Sequence, residues 1–281
     1  CIGSVYAWSM FNPALTKILG VASSAAGDWT LSDVVWIFST AIIFLGMAAA
    51  FAGKWLEEVG PRLVGFVAAC LWGGGFLVGS VGIFFHELSL VYLGYGVLGG
   101  CGLGLGYVSP VSTLIRWFPD RRGMATGMAI MGFGGGAMIG APLISYLLDL
   151  FHVAPVYLGS ANDLILKTID GVRFAEINGM LTEIVVVTTV EAQNSIYEAG
   201  VYVVGSGDTG AGMTFVSLGL GYFLIMAIAS FGYRIPPENW KPKGWDESMR
   251  KNNTSPVTSE NVHIDEALKT PQFYFLWIVL C

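Results

Sequence analysis

Few residues of this sequence are placed for covalent chemistry. No nucleophile stands near a base at a spacing typical of a catalytic site, and no His, Cys, Asp or Glu cluster has the spacing of a metal site. The sequence also lacks a phosphate-binding loop of the Walker type, which disfavours an ATP-driven pump. We therefore expect no catalytic residue, no metal and no cofactor. The remaining candidates are side chains that bind a ligand without changing it.

Four polar or aromatic residues could line such a binding cavity. Tyr6, Ser9 and Asn12 follow one another at intervals of three residues, so in a helix they would share a face. Tyr107 stands close to Pro110 in a second apolar stretch, where its hydroxyl could point inwards. The alternative is that both tyrosines only pack between helices or lie at a membrane interface.

A charged segment between two apolar stretches is the second candidate. It contains Gly53, Glu57, Gly60 and Arg62. Glu57 could pair with Arg62 or face a helix N-terminus, and either contact would hold one end of a helical bundle in one conformation. The alternative is that these charges only orient the chain in a membrane.

The composition indicates the surroundings of these residues. Of 281 residues, 54% are apolar and 12% are charged, and the mean hydropathy is +0.65. The charged share is about half of the roughly 25% found in soluble proteins, so a soluble globule is excluded and a disordered chain is poorly supported. The net charge of -6 also argues against a nucleic-acid partner. The lipid bilayer is the expected surrounding, and the sequence predicts a multi-pass membrane protein.

Five apolar stretches reach the roughly 20 residues that a helix needs to cross the hydrocarbon layer. They are residues 31–52, 63–85, 88–115, 123–148 and 211–233. The opening stretch up to Leu19 is predicted as a further span. Counting the opening stretch, residues 1–151 are predicted to contain five spans. They are followed by an acidic outer insert at 152–210, a sixth span at 211–234, a cytoplasmic central loop at 235–270 and the start of a seventh span at 271–281. Within the insert we expect a helix at 183–196 and a strand at 201–204.

The basic residues indicate the orientation. Most of the 14 Lys and Arg residues lie on one side of the predicted membrane, among them Arg116, Arg121 and Arg122. The positive-inside rule makes that side cytoplasmic, so both ends of the chain are expected on or toward the cytoplasm. We expect the plasma membrane rather than an organelle.

Small residues recur in the stretch at 123–148. Gly132, Gly136 and Gly140 stand four residues apart, and Pro142 follows them. Small residues at that spacing let helices approach closely in lipid. We therefore expect this segment to pack against a neighbouring helix.

Several of these segments resemble one known family. Gly53, Glu57, Gly60 and Arg62 resemble the loop signature of the major facilitator superfamily, with Glu57 in place of the usual Asp. Residues 116–142, RWFPDRRGMATGMAIMGFGGGAMIGAP, resemble the junction of the fourth and fifth spans in the oxalate/formate antiporter family, which is related to the monocarboxylate transporters. VYAWSMFNP at 5–13, RIPPENWKPKGW at 234–245 and DEALKTPQFYFLW at 265–277 resemble its first span, its central loop and the approach to its seventh span.

The resemblance implies an all-α membrane fold, the six-helix N-terminal bundle of the superfamily, and it implies that the sequence is a fragment. The C-terminal six-helix half would be its partner and would supply the basic residues that bind substrate. The implied function is secondary active transport of a small carboxylate, of the oxalate/formate or monocarboxylate type, by alternating access. Antiport, proton symport and uniport stay open. The alternative is a sensor or structural membrane protein that kept this fold without transport, with the acidic insert as its working part.

Overall fold

The computed structural model describes residues 1–177, 179–193, 195–237, 240 and 269–280. The chain divides into two compact units, Cys1–Trp240 and Lys241–Cys281. Most of the predicted central loop at 235–270 lies outside the described residues, and with it most of the segment at 234–245 and the first four residues of the segment at 265–277. The described part of the second unit is mainly the helix Pro271–Leu280, here named α8, where the sequence predicts the start of a span.

The first unit is built mainly from helices. Helix α1 is a 3₁₀ helix, Ile2–Phe11, continued by the α-helical turn Asn12–Leu15; α2 is Leu31–Val59, α3 is Pro61–Phe84, α4 is Leu88–Trp117, α5 is Arg122–Phe151 and α7 is Ala211–Phe231. Within α4 the turns at Tyr92–Gly99 are π-helical, and α5 is interrupted at Gly135 between Arg122–Gly134 and Gly136–Phe151.

Five helices of the described chain are long and apolar enough to cross a membrane, and they coincide with the five predicted spans. They are Leu31–Gly53, Pro61–Phe84, Leu88–Trp117, Arg122–Phe151 and Ala211–Phe231. Helix α1, predicted as a further span up to Leu19, ends at Leu15. The predicted all-α membrane architecture is confirmed for the bundle, while the insert adds a small sheet.

The end of α2 is set by one glycine. Helix α2 continues through Gly53 and Glu57 to Val59, so most of the expected charged loop is helical. Gly60 then has a φ of 82°, a left-handed conformation that favours glycine, and Pro61 begins α3, where its missing N–H costs no hydrogen bond. The two spans are thus joined by a single residue.

Glycines bring α4 close to α2. Gly96, Gly100 and Gly104 stand four residues apart on the side of α4 that meets α2. A Cβ atom on Gly100 would lie 2.6 Å from the carbonyl oxygen of Ala41. No larger side chain fits there, because the two backbones themselves are in contact.

The predicted glycine stripe of α5 packs against α1, but only in part. A Cβ atom on Gly136 would lie 2.6 Å from the Cα atom of Gly3, and one on Gly140 would lie 2.9 Å from Cβ of Ser4. Among the described residues, no atom lies within 4 Å of a Cβ atom placed on Gly132, so this glycine takes no part in the contact with α1. Gly136 and Gly140 belong to the helical segment after Gly135, and Pro142 follows inside the same segment.

An aromatic cluster joins four helices inside the bundle. The ring centroids of Trp8 in α1 and Tyr95 in α4 lie 4.3 Å apart, and those of Trp72 and Phe76 in α3 lie 4.9 Å apart. Phe215 of α7 lies 5.1 Å from Phe76. All five side chains are buried, so this cluster is the core of the bundle.

The insert folds as an antiparallel sheet of five strands in the order β1-β5-β4-β3-β2. The strands are β1 Tyr157–Gly159, β2 Leu166–Ile169, β3 Val172–Ile177, β4 Met180–Val187 and β5 Gly200–Val203; a short helix, α6, covers Thr189–Ala192. The expected helix at 183–196 is therefore wrong, because the run of Ile and Val residues in β4 favours a strand. The expected strand at 201–204 is confirmed as β5, which begins and ends one residue earlier.

The sheet is docked on the turn between α1 and α2. Ala22 of that turn is buried with Val185, Val187 and Tyr202 of the sheet, and the N–H of Gly205 donates to the carbonyl of Leu19 at 2.8 Å. The insert is thus packed on the bundle.

A second contact joins the sheet to the end of α5. The hydroxyl of Tyr197 lies 2.7 Å from Nε2 of His152. Burial raises the pKa of Tyr197 to about 12, so its hydroxyl keeps its proton at neutral pH and can donate it to this nitrogen.

One carboxylate holds the α1–α2 turn together. Asp28 accepts hydrogen bonds from the backbone N–H groups of Leu19 at 2.7 Å, Gly20 at 3.1 Å and Ala25 at 2.8 Å. A single carboxylate therefore binds three backbone N–H groups of the turn that supports the sheet.

We expect Gly136→Ala to destabilise the bundle, because its methyl group would meet the backbone of Gly3. Overpacking of this kind costs about 1–3 kcal/mol. The measurement is the midpoint of thermal unfolding of the purified full-length protein in detergent. Gly132→Ala is the matched control, since open space surrounds that position. An equal loss in both variants would contradict the contact between α1 and α5.

We expect Asp28→Ala to open the α1–α2 turn. Hydrogen bonds to a charged group each contribute about 1.5–3 kcal/mol, so amide hydrogen exchange at Leu19 and Ala25 should accelerate at least tenfold. Asp149→Ala is the control, because Asp149 is exposed at the end of α5 nearest the insert. Unchanged exchange at both amides would show that Asp28 does not support the turn.

Candidate functional site

The predicted polar face of α1 is present in the structure, and it has two exposed members. In a 3₁₀ helix residues three apart are eclipsed, so Tyr6 and Ser9 lie one above the other. Tyr6 is 52% exposed and Ser9 is also exposed. Asn12 is only half-buried as a residue, but its side-chain oxygen is buried and has no hydrogen-bond partner among the described residues. Tyr6 and Ser9 therefore present the accessible polar atoms of this face.

Phe133 of α5 brings the two predicted tyrosines together. Its ring centroid lies 5.2 Å from that of Tyr6, edge to face at 72°, and 5.4 Å from that of Tyr107 at 58°. Tyr6 belongs to α1 and Tyr107 to α4, so three helices meet at one ring. The sequence did not indicate Phe133, because one aromatic residue in a glycine-rich span is usually a packing residue.

A cavity of about 280 Å³ lies beside this aromatic group. Tyr107, Pro110 and Phe133 form part of its wall, and Gly132 borders it without a side chain. This position explains why Gly132 packs against no helix. Tyr6, Ser9 and Asn12 do not line this cavity, whose wall combines the side chains of Tyr107 and Tyr233 with apolar surface. Among the described residues, no group of three or more His, Cys, Asp or Glu could hold a metal ion.

The charged motif makes contacts different from the predicted pair. Oε1 of Glu57, at the end of α2, lies 3.9 Å from Nη2 of Arg116 at the end of α4. Arg62 instead donates from Nε to the carbonyl oxygen of Tyr233 at 2.6 Å. In place of the expected pairing of Glu57 with Arg62, Glu57 contacts the end of α4 and Arg62 contacts the chain just after α7. The pair of Glu57 with Arg116 is exposed, and exposed pairs contribute about 0–1 kcal/mol.

The predicted basic residues gather at one end of the bundle, here named the basic end: the ends of α2, α4 and α7 and the starts of α3 and α5. Arg116 lies in the last turn of α4. Nε of Arg121 is 3.5 Å from Oδ2 of Asp120, and Arg122 is exposed at the start of α5. The basic end therefore carries a surface of exposed positive charge.

Two donors hold the chain where it leaves α7. Besides Arg62, Nε1 of Trp117 donates to the carbonyl oxygen of Arg234 at 2.7 Å. The role of Trp117 was not predicted, because its partner lies 117 residues further along the chain.

The profile of the Major Facilitator Superfamily matches residues 2–161, more than half of the chain. The chain belongs to this superfamily. It is 34% identical over 137 residues to the MFS-type transporter YhjX of Escherichia coli strain K12, covering 49% of this chain and 31% of the relative. It is 31% identical over 189 residues to the apicoplast pyruvate carrier 1 of Toxoplasma gondii, with 55% and 34% covered. It is 30% identical over 158 residues to the oxalate:formate antiporter of Oxalobacter formigenes, with 56% and 34% covered.

These similarities confirm the predicted family, an oxalate/formate antiporter-like group within the Major Facilitator Superfamily. The chain spans about a third of the length of these relatives. Superfamily membership and the five apolar helices identify an integral multi-pass membrane protein.

We expect Trp117→Phe to loosen the chain after α7. Phenylalanine keeps the ring but loses the N–H that binds the carbonyl of Arg234, a net loss of about 1 kcal/mol. Amide hydrogen exchange at residues 232–235 of the full-length protein should accelerate about fivefold. Trp36→Phe is the control, since Trp36 is exposed on α2. Equal acceleration in both variants would show that the indole N–H is not the cause.

Proposed function

We propose that the full-length protein is a secondary active transporter of small carboxylates that works by alternating access. Two of the relatives support the substrate class, since one is named for oxalate and formate and the other for pyruvate. The observation that carries the proposal for this chain is the convergence of Tyr6 and Tyr107 on Phe133. Phenol hydroxyls donate to carboxylates, and the aromatic walls between them exclude water.

The proposed cavity needs positive charge from elsewhere. The five predicted spans contain no Lys or Arg between their ends, and a buried carboxylate without a cationic partner is costly. The partner is therefore the C-terminal six-helix half, with basic residues at mid-membrane depth. Ser9 and Asn12 contribute hydrogen-bonding groups on the N-terminal side.

Glu57 and Arg116 form the proposed gate at the basic end, supported by Gly53, Gly60 and Arg62 of the same motif. The exposed pair joins α2 to α4 across 3.9 Å. Its small contribution to stability suits a contact that breaks and reforms in each transport cycle.

The basic end is proposed to face the cytoplasm. Arg116, Arg121 and Arg122 supply the charge bias that sets orientation, and the insert then lies outside. Both ends of the chain lie on or toward the cytoplasmic side, and the membrane is the plasma membrane.

A transport-inactive sensor or structural protein is the second candidate. The folded insert favours it, because the β2 strand at the edge of the sheet is exposed along its whole length and pairs only with β3. Exposed edge strands can bind an added strand of another protein.

The test is uptake of radiolabelled oxalate, formate and pyruvate by the full-length protein in proteoliposomes. The double variant Tyr6→Phe/Tyr107→Phe keeps both rings and loses both hydroxyls. Because a hydrogen bond to a carboxylate contributes about 1.5–3 kcal/mol, we expect uptake efficiency to fall at least tenfold.

Tyr146→Phe is the matched control, since Tyr146 is exposed elsewhere on α5. No uptake of any carboxylate by the unmodified protein would favour the sensor. Unchanged uptake in the double variant would keep the transport function and overturn this binding site.

A further inference from the structure

A second cavity lies at the basic end, on the side of the bundle formed by α3 and α7. It has a volume of about 570 Å³ and lies between the start of α3 and the chain that leaves α7. Val59, Pro61 and Ile235 give it apolar walls, and Arg62 and Arg234 line it with charge. Neither of these two arginines belongs to the proposed gate pair of Glu57 and Arg116.

Of the two arginines of this cavity, Arg62 is held by its guanidinium group and Arg234 by its backbone. The bond from Nε of Arg62 to the carbonyl of Tyr233 fixes the plane of its guanidinium group. Arg234 is fixed through its backbone, because its carbonyl accepts from Trp117. Among the described residues, neither guanidinium forms an ion pair within 4 Å of a carboxylate. Planar guanidinium groups bind phosphate oxygens through paired hydrogen bonds.

Exposed apolar side chains stand within a few residues of this cavity along the chain, on α3 and α7. Leu63 follows Arg62 on α3 and is exposed, and on α7 Ile228 and Phe231 are 72% and 70% exposed. In a membrane-spanning bundle such surface is covered by acyl chains. Charge at the membrane edge, directly followed by apolar surface towards the membrane, matches the shape of a phospholipid.

We propose that this cavity binds the phosphate headgroup of an anionic phospholipid, with its acyl chains along Leu63, Ile228 and Phe231. The proposed orientation places the cavity in the cytoplasmic leaflet, where anionic lipids are concentrated and basic pockets between helices bind their headgroups. A lipid there would join the start of α3 to the end of α7, next to the segment that carries Glu57. A lipid fits this cavity better than a soluble phosphate, because the apolar surface adjoins the arginines.

The test measures lipid binding to the purified full-length protein by native mass spectrometry. Dioleoyl phosphatidylglycerol is compared with dioleoyl phosphatidylcholine, which has the same chains and no net charge. We expect the anionic lipid to bind more tightly, and Arg62→Gln and Arg234→Gln each to weaken it about fivefold, as expected for one basic residue at an anionic surface. Arg122→Gln is the matched control, since Arg122 is exposed at the same end and lies outside the cavity.

Arg234→Gln also guards against misfolding, because the contact of Arg234 with Trp117 is made by its backbone carbonyl. Equal binding of the two lipids, or equal weakening by Arg122→Gln, would overturn the proposal. Displacement of phosphatidylglycerol by equimolar glycerol phosphate would also overturn it, in favour of a soluble phosphate ligand. Since the readout is lipid binding, its failure is distinct from a failure of carboxylate transport.

Discussion

Close contact between helix backbones is the constraint on which this bundle depends. Lipid chains are as apolar as the side chains they cover, so burial of apolar surface does not press membrane helices together. Where glycines face each other, as Gly3 and Gly136 do, the backbones meet directly. A Cβ atom on Gly3 would also run into the carbonyl oxygen of Phe133. The same crossing that holds α1 against α5 therefore places the Phe133 ring within reach of Tyr6, so packing determines the geometry of the candidate site.

The two ends of the bundle are stabilised by different means. At the basic end, side chains bind backbone carbonyls: Arg62 and Trp117 secure the chain after α7. At the other end, Asp28 binds three backbone N–H groups and the sheet buries apolar side chains against the turn. Between them lies the aromatic core, which needs few hydrogen bonds because the helices satisfy their own backbone groups. The exposed pair of Glu57 and Arg116 contributes about 0–1 kcal/mol and so adds little to the stability of the bundle.

The sequence predicts the features that depend on local composition. Span lengths follow from apolar runs, and the basic end follows from the positions of Lys and Arg. Features that depend on three-dimensional neighbours could not be predicted. Gly132 and Gly136 belong to the same four-residue repeat, yet of these two only Gly136 meets another helix among the described residues. The partner of Arg62 lies 171 residues away, which no local pattern indicates.

The insert shows where two local patterns conflict. The capping pair of Thr188 and Glu191 favours a helix, and within the stretch 183–196 a helix does begin there, but it is one turn long. The preceding Ile and Val residues pair with β3 and β5 instead, because a sheet buries their branched side chains. Phe133 is a similar case, since only the folded bundle distinguishes it from an ordinary packing residue.

The docking of the sheet gives it a mechanical property. Strands β4 and β5 supply the residues buried against the α1–α2 turn, whereas β2 is two strands beyond β4 and exposed along its length. Because adjacent strands are about 4.8 Å apart, β2 lies on the order of 10 Å from the attachment. A tilt of the bundle carries the sheet with it as a lever arm, so its free edge sweeps a longer arc than the helices that drive it.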